Sequence, residues 1–313
     1  MSLQPLRLPI PEDFDFPWAV RFLAARAVPS LETVRDDEYC RVIWPAALEA
    51  QDARSRGGDP VVIGARFSPA SARTGARLEV WSVPALPPKV LRAAVTRLFD
   101  LDADVAAFRG HVARDPVLGP LMRRDLLGIR LPQLLDPFEC LVRAILGQQV
   151  SVAAATTMVG RLVQLLGTPV PEAEIHPGQT PRLAFPRPAD LVQAGSRRLR
   201  ALGLMRSKAA TLLAAAEAAD AGTLDLARLR RAPASEVDAA LTALPGIGPW
   251  TASYVRLRAF GDRDAFPAAD LGVLKALAAR GVARDAVVAV AERWRPWRGY
   301  AALHLWRSLE PDA

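Results

Sequence analysis

Thiols and imidazoles are scarce in this 313-residue chain, which has two cysteines, Cys40 and Cys140, and three histidines. Two thiols exclude a disulfide framework, a four-thiolate zinc site and an iron–sulfur cluster held by four cysteines. A reducing compartment, the cytoplasm, fits that usage. His111, His176 and His304 are scattered without ligand spacing, so no zinc is expected, and His304, inside an apolar helical stretch, reads as a satisfied core residue. No apolar run approaches the roughly 20 residues of a membrane-spanning helix. The opening segment, MSLQPLRLPIPEDFDFPW, lacks a basic stretch followed by an apolar run, so no signal peptide is expected. Internal repeats and low-complexity tails are missing as well.

Hydrophobic residues make up 51% of the chain and charged residues 23%, enough apolar side chain to fill a core. The length suggests two or three domains. Lys plus Arg outnumbers Asp plus Glu by 40 to 33, a net charge of +7. That balance suits a polyanionic partner without selecting one. Up to about residue 104 the pattern is mixed: helical spacing over 16–28 and 89–100, and short strands at 39–44, 60–67 and 77–83 around a polar turn at 51–59. An antiparallel sheet with helices on one face is expected. Beyond residue 101 the strand signals vanish. Helices are expected at 138–146, 151–166, 189–194, 207–219, 234–243 and 250–260, with a Pro-rich loop at 168–188 and a helical tail over 271–309.

The segment LPGIGPWTA, residues 244–252, is the most informative. Gly246 and Gly248 allow positive φ and leave no side chain above the turn, and Pro249 suits the first turn of a helix. The N–H groups of Gly246, Ile247 and Gly248 and of the helix start then face outward together, a geometry that binds phosphate oxygen. An ordinary interhelical turn is the competing reading, disfavoured by Leu244 and Ile247, which would dock the hairpin on a core. Asp270 stands just before an apolar helix, where it reads equally as an N-cap and as a fixed negative charge, since negative charge is favoured at a helix N-terminus. Asp262 and Asp264 read as solvated connector residues.

LPGIGPWTA followed by DAFPAADLGV resembles the helix-hairpin-helix DNA glycosylases, and within them the 3-methyladenine DNA glycosylase II, or AlkA-type, alkylbase enzymes. FLAARAV (22–28), RLFDL (97–101), LVRAILGQQVSV (141–152) and ERWRPWRGYAALHLW (292–306) extend the resemblance over nearly the whole chain. It implies an α+β fold: an N-terminal domain at 1–104, a helical domain with the hairpin at 137–262, and a second helical domain assembled from 105–136 and 263–313, the last two clasping a cleft. It implies base release from double-stranded damaged DNA by a monomer with no organic cofactor and no membrane. Asp270 would stabilise the oxocarbenium-like state formed as an N-glycosidic bond breaks. Trp250, Tyr254 and Trp306 would wall the pocket for a flipped base, with Phe22 and Trp18 approaching from the N-terminal domain. Gln149, where the family usually has an apolar residue, would fill the gap left in the duplex. A monovalent cation, Na or K, on the main-chain carbonyls of Thr242, Leu244 and Ile247 is implied by the family alone.

Several features keep a bland reading. Trp294 and Trp297 read as packing. The runs 197–200 and 228–231, rich in Arg, could contact phosphates but read equally as solvated faces. A non-catalytic hairpin protein that only grips DNA would need neither Asp270 nor the pocket tryptophans. A glycosylase/lyase for oxidised bases would carry a Lys two residues after the second hairpin Gly. That position holds Trp250, and the nearby Lys275 lies on the following helix.

Overall fold

The computed structural model describes residues 5–35, 37–48, 58–71, 75–122, 128–170 and 181–310. Most of the expected turn at 51–59 lies outside them, as do residues 171–180 of the expected loop, including His176. Five antiparallel strands form the N-terminal sheet: β1 (Leu6–Pro9), β2 (Glu32–Arg35), β3 (Glu38–Ile43), β4 (Val61–Ser68) and β5 (Arg77–Val83), in the order β1-β5-β4-β3-β2. Sequence patterning finds the three central strands and misses the two four-residue edges, which are too short to show alternation. Register is set by pairs such as Ile63 with both Arg41 and Ser82.

The sequence pattern places helices on one face of this sheet, yet the sheet is covered on both. All six residues of β3 are buried. Val61, Ile63 and Ala65 of β4 join a core with α1 (Phe16–Ala24) and α2 (Pro88–Leu98), whereas Val62 and Val42 join a second core built on α3 (Pro137–Gly147). Alternation on β4 thus feeds two hydrophobic clusters. The second core continues through α4 (Val152–Leu166), α5 (Pro188–Ala201), α6 (Arg206–Asp220), α7 (Ala234–Thr242) and α8 (Pro249–Phe260). The first takes in α9 (Leu271–Ala278) and α10 (Arg298–Arg307).

Local chemistry explains the helix ends. Helix α1 stops at Ala24, short of the expected end at 28, where Pro29 disfavours a helical Val28. Helix α5 runs past the expected end at 194, but Gly195 at φ 66° and ψ 171° breaks it there. Asp136 caps α3, accepting from the backbone N–H groups of Phe138 and Glu139. Inside the expected Pro-rich loop, Thr168–Pro169 pairs with Leu183–Ala184 as a two-residue ladder, a pairing too short to read from sequence.

A buried ionic network joins the sheet to the helical body. Arg41 on β3 reaches Glu139 on α3 at 2.5 Å, and Arg143, one turn further along α3, bonds Glu139 and Glu32, each at 2.8 Å. Tyr39 donates to Glu32 at 2.6 Å. Removing one partner from such a set would leave an uncompensated buried charge, costing about 3–5 kcal/mol.

His304 departs from its sequence reading. It is fully buried on α10 with its ring 5.1 Å from that of Phe108, and neither ring nitrogen has a protein partner. Burial, with Arg109 adding to it, pushes the imidazole from 6.5 down to about 3. The unfolded chain therefore takes up a proton below pH 6.5 that the native protein refuses. This contribution to stability is complete above pH 6.5 and is lost as pH falls toward 3. Urea unfolding of His304→Leu should show a higher midpoint at neutral pH. Between pH 6.5 and about 5 it should also lack a slope that approaches about 1.4 kcal/mol per pH unit in the parent protein.

Candidate active site

Asp270 does what its sequence position allows and more. It is the N-cap of α9, and its Oδ1 accepts from the backbone N–H groups of Gly272 at 2.9 Å and Val273 at 3.1 Å. Oδ1 also accepts from Nε1 of Trp306 at 2.8 Å, and Oδ2 accepts from Nε1 of Trp250 at 3.0 Å. Two indoles from α8 and α10 thus meet on one carboxylate. Oδ1 is saturated by three donors, while Oδ2 has one protein donor and a free lone pair. The carboxylate is half-buried, so that lone pair can reach a bound molecule.

Three of the aromatic residues form one continuous run. Trp250 stacks on Tyr254, centroids 5.4 Å apart and planes at 26°, as their spacing of four on α8 permits. Tyr254 lies 6.5 Å from Trp306. Phe22 approaches from α1, buried and tilted against Trp18 at 5.2 Å. Two cations flank Phe22, and neither is singled out by the sequence. Arg258, 2% exposed, sits 4.8 Å from the Phe22 centroid and 5.7 Å from that of Tyr254, and donates to the Tyr254 hydroxyl at 3.1 Å and the Pro132 carbonyl at 2.8 Å. Arg26 also packs on Phe22, 3.7 Å from the ring centroid. The one signal for Arg258 is its place one turn after Tyr254; nothing in the local pattern marks Arg26.

The hairpin corrects one expectation. Gly246 has φ 79°, but Gly248 does not share it: at φ −107° and ψ −179° it is extended backbone, the N-cap of α8. Ile247 is buried and Leu244 half-buried against the second core, as docking requires. Gln149 is exposed at φ 58°, a strained value for a residue with a Cβ, in the turn after α3. Its neighbours hold that turn to the hairpin. Gln148 donates to the Gly246 carbonyl and the Thr251 hydroxyl, each at 3.0 Å, and Lys208 of α6 donates to the carbonyls of Leu146 and Gln148 at 2.8 and 2.9 Å. In the sequence Gln148 is only part of a polar break.

Other candidates resolve into structure. Asp262 and Asp264 are ion-paired rather than solvated, Asp262 with Arg256 at 2.5 Å and Asp264 with Arg295 and Arg298 at 2.5 and 2.9 Å. Trp294 is buried against Phe266, and Trp297 packs on Phe108 and Tyr300. Arg197, Arg198 and Arg200 are exposed, whereas Arg228 pairs with Glu236 and Arg230 turns inward to the Leu135 carbonyl at 3.2 Å. His111 contacts the Arg293 carbonyl at 3.0 Å. Both cysteines are buried, and burial pushes the Cys140 thiol up to about 12, so neither offers a nucleophile. Among the described residues no cluster of His, Cys, Asp and Glu could hold a metal, and no helix is long and apolar enough to cross a membrane.

Residues 5–136 match the family model for the AlkA N-terminal domain, and residues 142–297 match that for the HhH-GPD superfamily base excision DNA repair protein. The chain is 37% identical, over 97% of its length, to a probable bifunctional transcriptional activator/DNA repair enzyme AlkA from Mycobacterium tuberculosis, and spans 57% of that relative. It is 33% identical to DNA-3-methyladenine glycosylase 2 of Escherichia coli, covering 96% of each chain. A 3-methyladenine DNA-glycosylase from Archaeoglobus fulgidus has the same fold, with a TM-score of 0.79 at 22% identity, over 98% of this chain and 100% of that one.

The two hairpin glycines should respond differently to substitution. A Cβ on Gly246 would come within 2.1 Å of the Thr211 hydroxyl and would sit at positive φ, whereas a Cβ on Gly248 would meet nothing within 4 Å. Thermal melting should show Gly246→Ala destabilised by about 1–3 kcal/mol and Gly248→Ala close to the parent protein.

Proposed function

Since the chain belongs to the AlkA-type branch of the HhH-GPD superfamily of base excision DNA repair proteins, we infer that it is a DNA-3-methyladenine glycosylase II, a monofunctional N-glycosyl hydrolase. It takes alkylated purines of the 3-methyladenine and 7-methylguanine type out of double-stranded DNA and leaves an abasic site. The convergence of the Trp250 and Trp306 indoles on Asp270 carries this reading. It sets a fixed carboxylate beside faces on which an extruded base can stack.

The chemistry follows from the positions. The base enters against Trp250, Tyr254 and Trp306, with Phe22 at its inner edge. As the glycosidic bond stretches, positive charge builds on the sugar. The free side of Asp270 Oδ2 faces that charge and orients water toward C1′. An alkylated purine is cationic, and a cation over an indole face gains roughly 0.5–2 kcal/mol, about a tenfold preference over a normal base. The labile bond of the lesion supplies the rest of the selectivity. Such an enzyme accepts several alkylated purines.

Grip and extrusion belong to the hairpin and the neighbouring turn. The N–H groups of Gly246, Ile247 and Gly248 hold a phosphate without reading sequence. Oxygen donors also suit a monovalent cation, and the Leu244 carbonyl, which accepts from the Ile247 N–H at 3.2 Å, keeps a second lone pair. The carbonyls of Thr242, Leu244 and Ile247 would hold Na or K, which would add positive charge at the phosphate. Gln149 enters the space vacated by the base. Residues 1–104, 137–262, and 105–136 with 263–313 act as three domains around one cleft. The protein works as a monomer in the cytoplasm.

A non-catalytic gripping protein has no use for the Asp270 arrangement, and a lyase has no amine at position 250. Duplexes carrying 7-methylguanine or 3-methyladenine should lose the free base to the parent protein, without strand cleavage or a borohydride-trapped adduct. Asp270→Asn turns an acceptor into a donor opposite one indole and removes the charge. Base release should fall by orders of magnitude while duplex binding persists, and a normal rate for this variant would sink the assignment. Gly248→Val, whose Cβ would meet nothing within 4 Å, should weaken binding to damaged and undamaged duplex alike in a fluorescence titration. A loss confined to one lesion would place the hairpin in the base pocket instead.

A further inference from the structure

Carboxylates are missing from one part of the chain. Residues 140–170 and 191–216 hold no Asp or Glu, against seven Lys and Arg. Two of the seven are committed inside the protein, Arg143 to Glu139 and Glu32, and Lys208 to the Leu146 and Gln148 carbonyls. The other five, Arg161, Arg197, Arg198, Arg200 and Arg206, are exposed, and among the described residues none of them pairs with a carboxylate. Several exposed arginines elsewhere are paired: Arg228 with Glu236, Arg293 with Asp115, and Arg295 with Asp264 and Glu292. The fold gathers three of the unpaired five at the connection between α5 and α6. Arg161 of α4 donates through Nη1 to the Leu202 carbonyl at 3.2 Å, and a Cβ on Gly203 would come within 3.3 Å of the same nitrogen. Arg200 stands two residues before Leu202, and Arg206 opens α6. Helix α6 also reaches the hairpin and its neighbouring turn. Lys208 holds the turn that carries Gln149, and Thr211 lies against Gly246. From Arg206 to Thr211 is about 7.5 Å of helix rise, a length over which duplex DNA carries roughly four phosphate charges.

We propose that the α5–α6 connection is a second contact for the DNA backbone, in which Arg161, Arg200 and Arg206 bind phosphates on one flank of the lesion. This rests on the glycosylase reading above and adds a stretch of duplex that the hairpin alone does not reach. A surface of one charge sign repels itself, and an anionic partner offsets that repulsion. The partner is a phosphate backbone because guanidinium groups match phosphate oxygens with paired N–H donors. Such a contact reads no base. It acts on undamaged duplex as well, and holds the protein on DNA between lesions. Its place beside the hairpin puts the two contacts on neighbouring stretches of one duplex.

The test is fluorescence anisotropy of labelled duplexes, undamaged and carrying 7-methylguanine, titrated over a range of salt. The proteins are the parent, Arg161→Gln, Arg200→Gln and Arg206→Gln singly, and the three combined. Arg295→Gln serves as the control, since it removes the same charge from an ion-paired position. The logarithm of affinity falls against that of salt with a slope of about 0.9 per phosphate neutralised. Between about 50 and 200 mM salt, the loss of affinity should therefore be roughly 3.5-fold smaller in each single variant and about 40-fold smaller in the triple variant, on both duplexes alike. Trimming the duplex at one end should cost the parent protein affinity and spare the triple variant. Unchanged salt slopes would show a merely solvated face and overturn the proposal. So would an equal change in Arg295→Gln, which would trace the effect to net charge alone. The glycosylase reading is tested apart from these slopes. A parent protein that shows them, yet frees neither 7-methylguanine nor 3-methyladenine, would sink that reading and leave the backbone contact standing.

Discussion

Four N–H donors converge on the carboxylate of Asp270, and the shape of the pocket depends on where they come from. Two are backbone groups of its own helix, one is the Trp250 indole on α8, and one is the Trp306 indole on α10. Each indole is fixed by the bond it donates, so the carboxylate sets the plane of the aromatic faces around it. Trp250 in turn holds Tyr254 by stacking, and Tyr254 holds Arg258 through its hydroxyl. Gly272 belongs to the same constraint, because a Cβ there would meet the Trp306 ring at 3.0 Å. A helix cap, the proposed catalytic group and the anchor of the two indoles are therefore one side chain.

The Phe22 side is anchored from a distance. Phe22 and Arg26 belong to α1 and the residues after it, which have no covalent neighbour in the helical body. The network of Glu32, Arg41, Glu139 and Arg143 makes that connection, and Arg143 extends it by binding the Arg26 carbonyl. Polar groups buried this deeply add little net stability, but they demand one geometry. That demand fits a proposed site whose residues come from segments far apart in the chain, one around Phe22 and the other beginning at Trp250.

Hairpin and turn are coupled in a similar way. Gln148 bonds the hairpin at Gly246 and the start of α8 at Thr251, and Lys208 satisfies carbonyls at the end of α3. Gln149 then projects at positive φ from a turn that cannot relax independently of the hairpin.

Local rules made part of this legible in the sequence. The hairpin, the Asp270 cap, the three central strands and most helices follow from Gly and Pro placement, capping chemistry and apolar period, all of which act over a few residues. The resemblance to a glycosylase family supplied the roles proposed for Trp250, Tyr254, Trp306 and Phe22, which no spacing could give. What only the tertiary structure decided concerns contacts across long separations. These are the two indoles meeting on one carboxylate, the second core behind the sheet, the pairing of Asp262 and Asp264, the unpartnered His304, and Arg26 and Arg258 flanking Phe22. Charge and burial at such sites depend on which distant side chains arrive beside them, and a one-dimensional pattern records neither distance nor direction in space.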